Sequence, residues 1–301
     1  MASVLEVADN IYEIKPDDPG RGIPCSCYLV VDDQIALVET GASSQLPEIL
    51  AGMAKLGYDA NSLSYVIPTH IHADHAGGVG HLVRYSSRPR VVVHEQGAAH
   101  LIDPLKLISG IMQIFGENFE DELGALLPVP EHRILVVHND ETVVLGERRL
   151  KILYSPGHSP HHICIFDSKS EGLFCGEALG VYLPLDNVLM LATAPPIFEL
   201  ALAMDTIDRL QQLDPKILFF SQWGASRETH RLIELSREYT KSTGDSILQA
   251  IKAGDREDVI ARRLQSPMMD SRYLKSRKMR HILGTFTIRS YMAYFRREGL
   301  V

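Results

Sequence analysis

The chain has 301 residues, 45% of them apolar and 23% charged, with a formal net charge of -8. This is an ordinary globular composition, long enough for one large domain or one domain with an extension. No stretch approaches the roughly 20 apolar residues of a membrane span, and "MASVLEVADNIYEI" lacks the basic start and apolar run of a signal peptide, so the expectation is a cytoplasmic chain that does not enter a membrane.

In chain order, "IYEI" (11–14), "CYLVV" (27–31) and "IALVE" (35–39) predict antiparallel strands broken by "DDQ" and "GAS" turns. Cys25 and Cys27 fall on one face of this run, poor geometry for a mutual disulfide. With Cys164 and Cys175 they are expected to be buried, reduced thiols. "SQLPEILAGMAKLG" (44–57) has helical spacing and ends at Gly57 as a C-cap. "LSYVIPT" (63–69) and "VVVHE" (91–95) are buried strands. Residues 96–126 read as an apolar helical insertion in which Leu105, Ile108, Met112 and Phe115 recur at helical spacing. Strand runs follow at 133–137, 141–145, 149–155, 162–167 and 172–177, then a helix at 196–213 and a last strand at 216–222. Strand runs closed by a helix thus occur twice. This pattern suits an α/β protein with two sheets packed face to face and helices outside, an αββα sandwich.

From 226 to 301 the chain reads as helices, starting with "RETHRLIELSREYTKS" and "DSILQAIKAG". The expected division is a metal domain at 1–225 and a helical extension at 226–301. The extension carries 16 Lys and Arg against 9 Asp and Glu, whereas residues 1–225 carry 14 against 29. A solvated helical face is the expected use of that positive charge. Its apolar positions Leu232, Leu235, Ile247, Ile251, Ile282 and Phe286 need a surface to bury, either the metal domain or a second copy of the chain in a homodimer.

The chemistry concentrates in "THIHADHAGG" (69–78). Three histidines and an aspartate within six positions would compete for partners unless one or two metal ions lay among them. The loop follows a strand and precedes a helix, so His70, His72, Asp74 and His75 project from one turn.

This H-x-H-x-D-H loop resembles the signature of the metallo-β-lactamase fold superfamily, with the resemblance covering about residues 8–225. The family's fold is the sandwich just argued. The resemblance implies further ligands: His158 in "SPGHSPHHI", a bridging acid at Glu177 in "CGE" where the family has Gly-Asp, and Gln222 in "FFSQWG" where it has a histidine. It implies a first site of His70, His72 and His158 with Glu177 shared. The second site comprises Asp74, His75, Glu177 and Gln222. Losing an imidazole at the second site lowers its preference for zinc and favours manganese or iron. His162 is expected to orient or pack beside a ligand. His161 stands where the family often has glycine.

The family's chemistry is hydrolysis of an ester-like bond by a metal-bound hydroxide, with Asp74 orienting the hydroxide and passing a proton to the leaving group. Tyr182 is a candidate oxyanion donor. The helical extension is similar to those of glyoxalase II, acyl-homoserine-lactonases and quinolone-signal thioesterases. Those groups imply a small thioester or lactone substrate, anionic or acyl-bearing. Two alternatives stay open: a mononuclear-iron oxidoreductase of the persulfide dioxygenase type, and a non-enzymatic signalling protein with a vestigial site. Nucleic acid is not an expected partner, because the acidic main domain would repel phosphates.

Overall fold

The structure, a computed structural model, describes residues 2–17, 25–184, 186–265 and 277–301, with side chains at all of these except 264, 265 and 277–283. Among these residues the strands are β1 Ser3–Ala8, β2 Ile11–Lys15, β3 Cys27–Val31, β4 Ile35–Val38, β5 Tyr65–Ile67, β6 Arg90–His94 and β7 Ile134–Val137, then β8 Thr142–Val144, β9 Arg149–Tyr154, β10 Ile163–Asp167 and β11 Gly172–Gly176, and finally β12 Val181–Leu183, β13 Val188–Met190, β14 Ile217–Phe220 and β15 Gly224–Ser226. They form a sheet ordered β1-β2-β3-β4-β5-β6-β7, a sheet ordered β15-β14-β11-β10-β9-β8, and the hairpin β12-β13. The chain divides into two compact units. The first comprises Met1–Tyr154, His161–Gly176 and Pro215–Arg227, and the second Ser155–Pro160, Glu177–Asp214 and Glu228–Val301.

Both large sheets belong to the first unit. Alternation along β3 shows how they pack. Cys27 and Leu29 face one core with Leu46, Ile49 and Met53 of the helix Leu46–Lys55. Tyr28 and Val30 face the other core, which holds Ile152, Ile163, Phe174 and Phe219 of the second sheet. A strand buried on both faces reads as a continuous apolar run, and "CYLVV" does. Tyr28 ties the two sheets together: its hydroxyl donates to Phe220 O at 2.6 Å, and its ring meets Phe174 and Phe219 at 5.4 Å each.

In the first sheet β4, β5, β6 and β7 run parallel. Their carboxyl ends therefore share one edge, where an open α/β sheet places ligand groups. Glu39 follows β4, the histidine loop follows β5, and β6 ends at His94.

The turns at the sheet ends are held by a buried ion pair. Arg148 is fully buried; its guanidinium pairs with Asp167 and donates to Asp9 O at 2.6 Å, while its backbone N–H donates to Asp32 at 2.7 Å. Removing one partner strands the other charge in the interior. Arg148→Ala is expected to cost about 3–5 kcal/mol in chemical denaturation. A loss below about 1 kcal/mol, the scale of an exposed pair, would show that Asp167 finds solvent or another donor.

The second unit packs around Phe198, Ile247, Ile260, Ile288, Tyr291 and Phe295. Its long helices are Leu200–Gln212, Thr229–Lys252 and Arg277–Arg297. Leu232 and Ile247 are buried as expected, Leu235, Ile251 and Phe286 are half-buried, and the side chain of Ile282 lies outside the described residues. The extension's arginines are drawn into ion pairs with acids of the same unit, including Arg237 with Asp208 at 2.7 Å, Arg289 with Glu257 at 3.1 Å and Arg297 with Glu199 at 2.7 Å.

Three features depart from the sequence pattern. One helix of 24 residues replaces the two expected over 227–254. It continues through Gly244 because the bare Cα there meets the Tyr291 ring; a Cβ would come within 2.9 Å of it. The insertion is three helices, Glu95–Ile102, Leu105–Phe115 and Phe119–Leu123. Lastly, β1, the β12–β13 hairpin and β15 were not expected: β1 is mostly exposed, and the others span three residues each, too short for a period to show. All four cysteines are buried and unpaired by disulfides, as expected. Among the described residues no helix is long and apolar enough to cross a membrane.

Candidate metal centre

The stretch "THIHADHAGG" leaves β5 in an extended turn, and residues 73–76 then form a single helical turn. Thr69, at its start, is anchored by a residue that sequence reasoning missed, Glu39. This carboxylate is fully buried, one residue beyond β4. It accepts from Thr69 N at 3.1 Å, Thr69 Oγ1 at 2.5 Å and Ser221 Oγ at 2.7 Å, and it pairs with His75 Nδ1 at 3.2 Å. Burial pushes its pKa up, but the His75 imidazole and the hydrogen bonds from His75, Ser221 and Thr69 outweigh that, so the carboxyl sits below its ordinary value. Its backbone is left-handed (φ 64°), an unfavourable state for a residue with a Cβ. The available signal was an acid ending an otherwise apolar strand just before "TG".

Glu39 sets the ring orientations of two histidines. A carboxylate only accepts, so Thr69 Oγ1 spends its hydrogen on Glu39 and receives from His70 Nδ1 at 3.0 Å. The His70 proton is thereby on Nδ1 and the lone pair on Nε2. The same reasoning puts the His75 proton on Nδ1. Such outer partners fix the tautomer and aim of a ligating histidine. Glu39→Gln would set an amide N–H₂ among groups that already donate. It is expected to weaken metal binding about 10- to 100-fold by competition with a chelator; unchanged affinity would reduce Glu39 to a packing role.

His158 and Glu177 belong to the second unit. His158 follows Gly157, whose φ of 135° and approach of 2.5 Å from an added Cβ to Ala203 Cα demand glycine. His158 Nδ1 donates to Ala192 O at 3.0 Å, which aims Nε2 away from that carbonyl. His158 Nε2 stands 3.0 Å from Glu177 Oε2. With a proton on the ring the contact is an ion pair; with the ring unprotonated the two atoms are both available as metal donors. Two donors about 2.1 Å from a metal at a tetrahedral angle stand about 3.4 Å apart, so the pair fits a metal.

One donor atom from each of His70, His72, His158 and Glu177 lies within 4.8 Å of all the others. Among the described residues this is the group able to hold a metal ion. It is the set expected for the first site. Asp74, His75 and Gln222 stand beside one another: His75 Nε2 is 3.5 Å from Asp74 Oδ2 and 3.0 Å from Gln222 Nε2. His75 and Gln222 are buried, whereas the Asp74 carboxylate is 39% exposed. His162 is fully buried, its ring stacked 5.1 Å from that of His70, beside Gly176, where an added Cβ would sit 2.4 Å from His162 Nε2. His161 is buried too, with its ring 5.8 Å from that of His72. Both pack on rings of the histidine loop. The Tyr182 hydroxyl donates to Asn187 Oδ1 at 3.2 Å and accepts from Arg231 at 3.4 Å.

Comparison with known proteins bears on the fold. The family described as the Metallo-beta-lactamase superfamily matches residues 20–223. A metallo-beta-lactamase fold-containing protein of Sulfurisphaera tokodaii is 26% identical over 54% of this chain and 62% of its own length. An acyl-coenzyme A thioesterase of Gallus gallus is 27% identical over 59% of this chain and 62% of its own. The chain thus spans less than two thirds of the length of these two relatives. An N-acyl homoserine lactonase of Bacillus thuringiensis is 28% identical over 67% of this chain and 83% of its own. Among solved structures, a metallo-beta-lactamase family protein of Thermus thermophilus shares the fold with a TM-score of 0.72 at 19% identity, over 98% of this chain and 95% of its own.

Proposed function

The chain belongs to the metallo-beta-lactamase superfamily, and from that premise we propose that it is a metal-dependent hydrolase of a small thioester or lactone. The observation that carries this reading is His158 Nε2 set 3.0 Å from the Glu177 carboxylate, within a group of four residues that could hold a metal ion. The relatives' own activities, one a thioesterase and one a lactonase, support the substrate class.

In this reading His70, His72, His158 and Glu177 hold the metal. When bound, a divalent metal lowers the pKa of a coordinated water from about 15.7 to about 7 and polarises a carbonyl oxygen. Asp74 does the proton work. Its carboxylate lies in the same loop as His70 and His72, 3.5 Å from His75 Nε2, and is partly open to solvent. It orients the attacking water, accepts its proton as the new carbon–oxygen bond forms, and passes that proton to the sulfur or oxygen that leaves as the old bond breaks. No step is assigned to Tyr182, because its hydroxyl hydrogen goes to Asn187.

The test is a panel of acyl thioesters, lactones and aryl esters assayed without oxygen, with Mn²⁺, Fe²⁺ or Zn²⁺ restored to the purified protein. Hydrolysis under these conditions is the expected result. Turnover that appears only with oxygen, and consumes it in step with a sulfur substrate, would overturn the reading in favour of an iron oxygenase. Silence with every metal and substrate would favour a non-enzymatic role.

A further inference from the structure

We propose that two copies of this chain associate through one flank of the first unit, the arginines Arg84, Arg88 and Arg90 of each copy meeting the acids Glu117, Glu120 and Asp121 of the other. The inference rests on surface residues of the first unit and is independent of the metal reading.

Residues 1–225 carry 14 Lys and Arg against 29 Asp and Glu. Even so, four arginines of that acidic part bond only to neutral carbonyls or to nothing. Arg88 Nη1 donates to Asn61 O at 3.1 Å and Arg90 Nη2 to Ile134 O at 3.4 Å. Arg133 donates to Pro89 O at 3.0 Å and Ser86 O at 3.2 Å. Among the described residues no carboxylate pairs with these three or with Arg84. Arg133 is buried, and by bonding carbonyls at both ends of Ser86–Pro89 it fixes that turn. Arg88 N donates to Ser86 Oγ at 3.2 Å and tightens it further. Arg84, Arg88 and Arg90 are exposed on and beside a turn that is already ordered, so little entropy is lost when they meet a partner. Next to them Val83, Ile102, Pro128 and Pro130 line a cleft of about 310 Å³ with Arg84 and Glu131 at its margin.

The matching surface is on the insertion. The helix Leu105–Phe115 buries only Ile111, and Leu105, Met112 and Ile114 are exposed. An exposed apolar patch with a polar rim marks an association surface. The rim here is acidic. Glu117, Glu120 and Asp121 are exposed, and none is in an ion pair among the described residues. A guanidinium matches a carboxylate with two parallel donors, and the cleft beside the arginines takes apolar side chains. A long polyanion laid on the arginines would also meet the surplus acids of residues 1–225. A second copy brings carboxylates to the arginines, and a two-fold contact uses each patch twice and covers both. Arg90 opens β6 and His94 closes it, about 13 Å further along the strand, so the contact leaves the edge of the histidine loop open.

The test is the mass of the full chain in solution, by light scattering and sedimentation. A dimer that dissociates as salt rises from about 0.05 M to about 1 M is the expected result. Arg84→Glu with Arg88→Glu makes one variant, and Glu120→Arg with Asp121→Arg the other. Each is expected to weaken dimerisation by about 100-fold or more, because like charges then face one another. Mixed one to one, the two are expected to form a heterodimer, since every contact again joins opposite charges. Circular dichroism checks the fold, and the single changes Arg88→Glu and Glu120→Arg carry the same test if a double variant departs from the wild type. A wild type that stays monomeric overturns the proposal, and its binding of a polyglutamate peptide would assign the arginines to an acidic segment of another protein. A dimer that both variants keep also overturns it, and places the contact on another surface. Folded monomeric variants that do not pair when mixed would show that these arginines and acids do not face one another.

Discussion

His158→Ala is expected to lose its metal and its turnover together. The imidazole supplies the donor nearest Glu177, 3.0 Å away, and its ring is aimed by Ala192 O. Alanine removes the ligand and leaves Glu177 with one fewer partner to bridge. The protein should still fold, because the inter-sheet core of Tyr28, Val30, Phe174 and Phe219 does not involve residue 158. His94→Ala is the control. His94 is buried at the end of β6 and caps the next helix by accepting from Gln96 N at 3.0 Å, but it is not among the four donors. That variant should lose about 1 kcal/mol of stability and keep its metal. Full metal occupancy in His158→Ala, or equal loss in both variants, would remove the basis of the assignment.

Asp74→Asn is the second large effect, and it separates binding from chemistry. The amide is nearly isosteric, so the helical turn 73–76 and the metal should persist. It cannot accept and return a proton. The expected result is a fall in kcat of about 10²- to 10⁴-fold with KM little changed, as for a group that acts in the transition state. Metal content is measured on the same samples. A parallel loss of metal would make Asp74 a ligand first, and undiminished kcat would assign the proton transfer elsewhere.

Some of this was legible in the amino-acid order. Period-two burial and continuous apolar runs mark the central strands, because a sheet covered on both faces needs apolar residues on both. The cluster at 69–78 marks the first donors, because ligands on one short turn need no distant partner to come together. The resemblance carried by that loop led to His158 and Glu177, which the structure sets 3.0 Å from one another.

The tertiary structure decided how those side chains are aimed. Glu39 and Ser221 are 182 residues apart, yet Ser221 holds the carboxylate that fixes the ring of His75 and the start of the histidine loop. A hydrogen bond at a strand end has no period and no spacing, so local pattern does not reveal it. Gln222 shows the same limit more sharply. The sequence by itself determined that an amide stands where a ligand was expected; only the packing decided that this amide meets His75, 3.0 Å from its ring. The reason is physical. Which nitrogen of an imidazole carries the proton is set by the partner on its far side, here Glu39 for His75 and Ala192 O for His158. Those partners reach the rings through the folded chain.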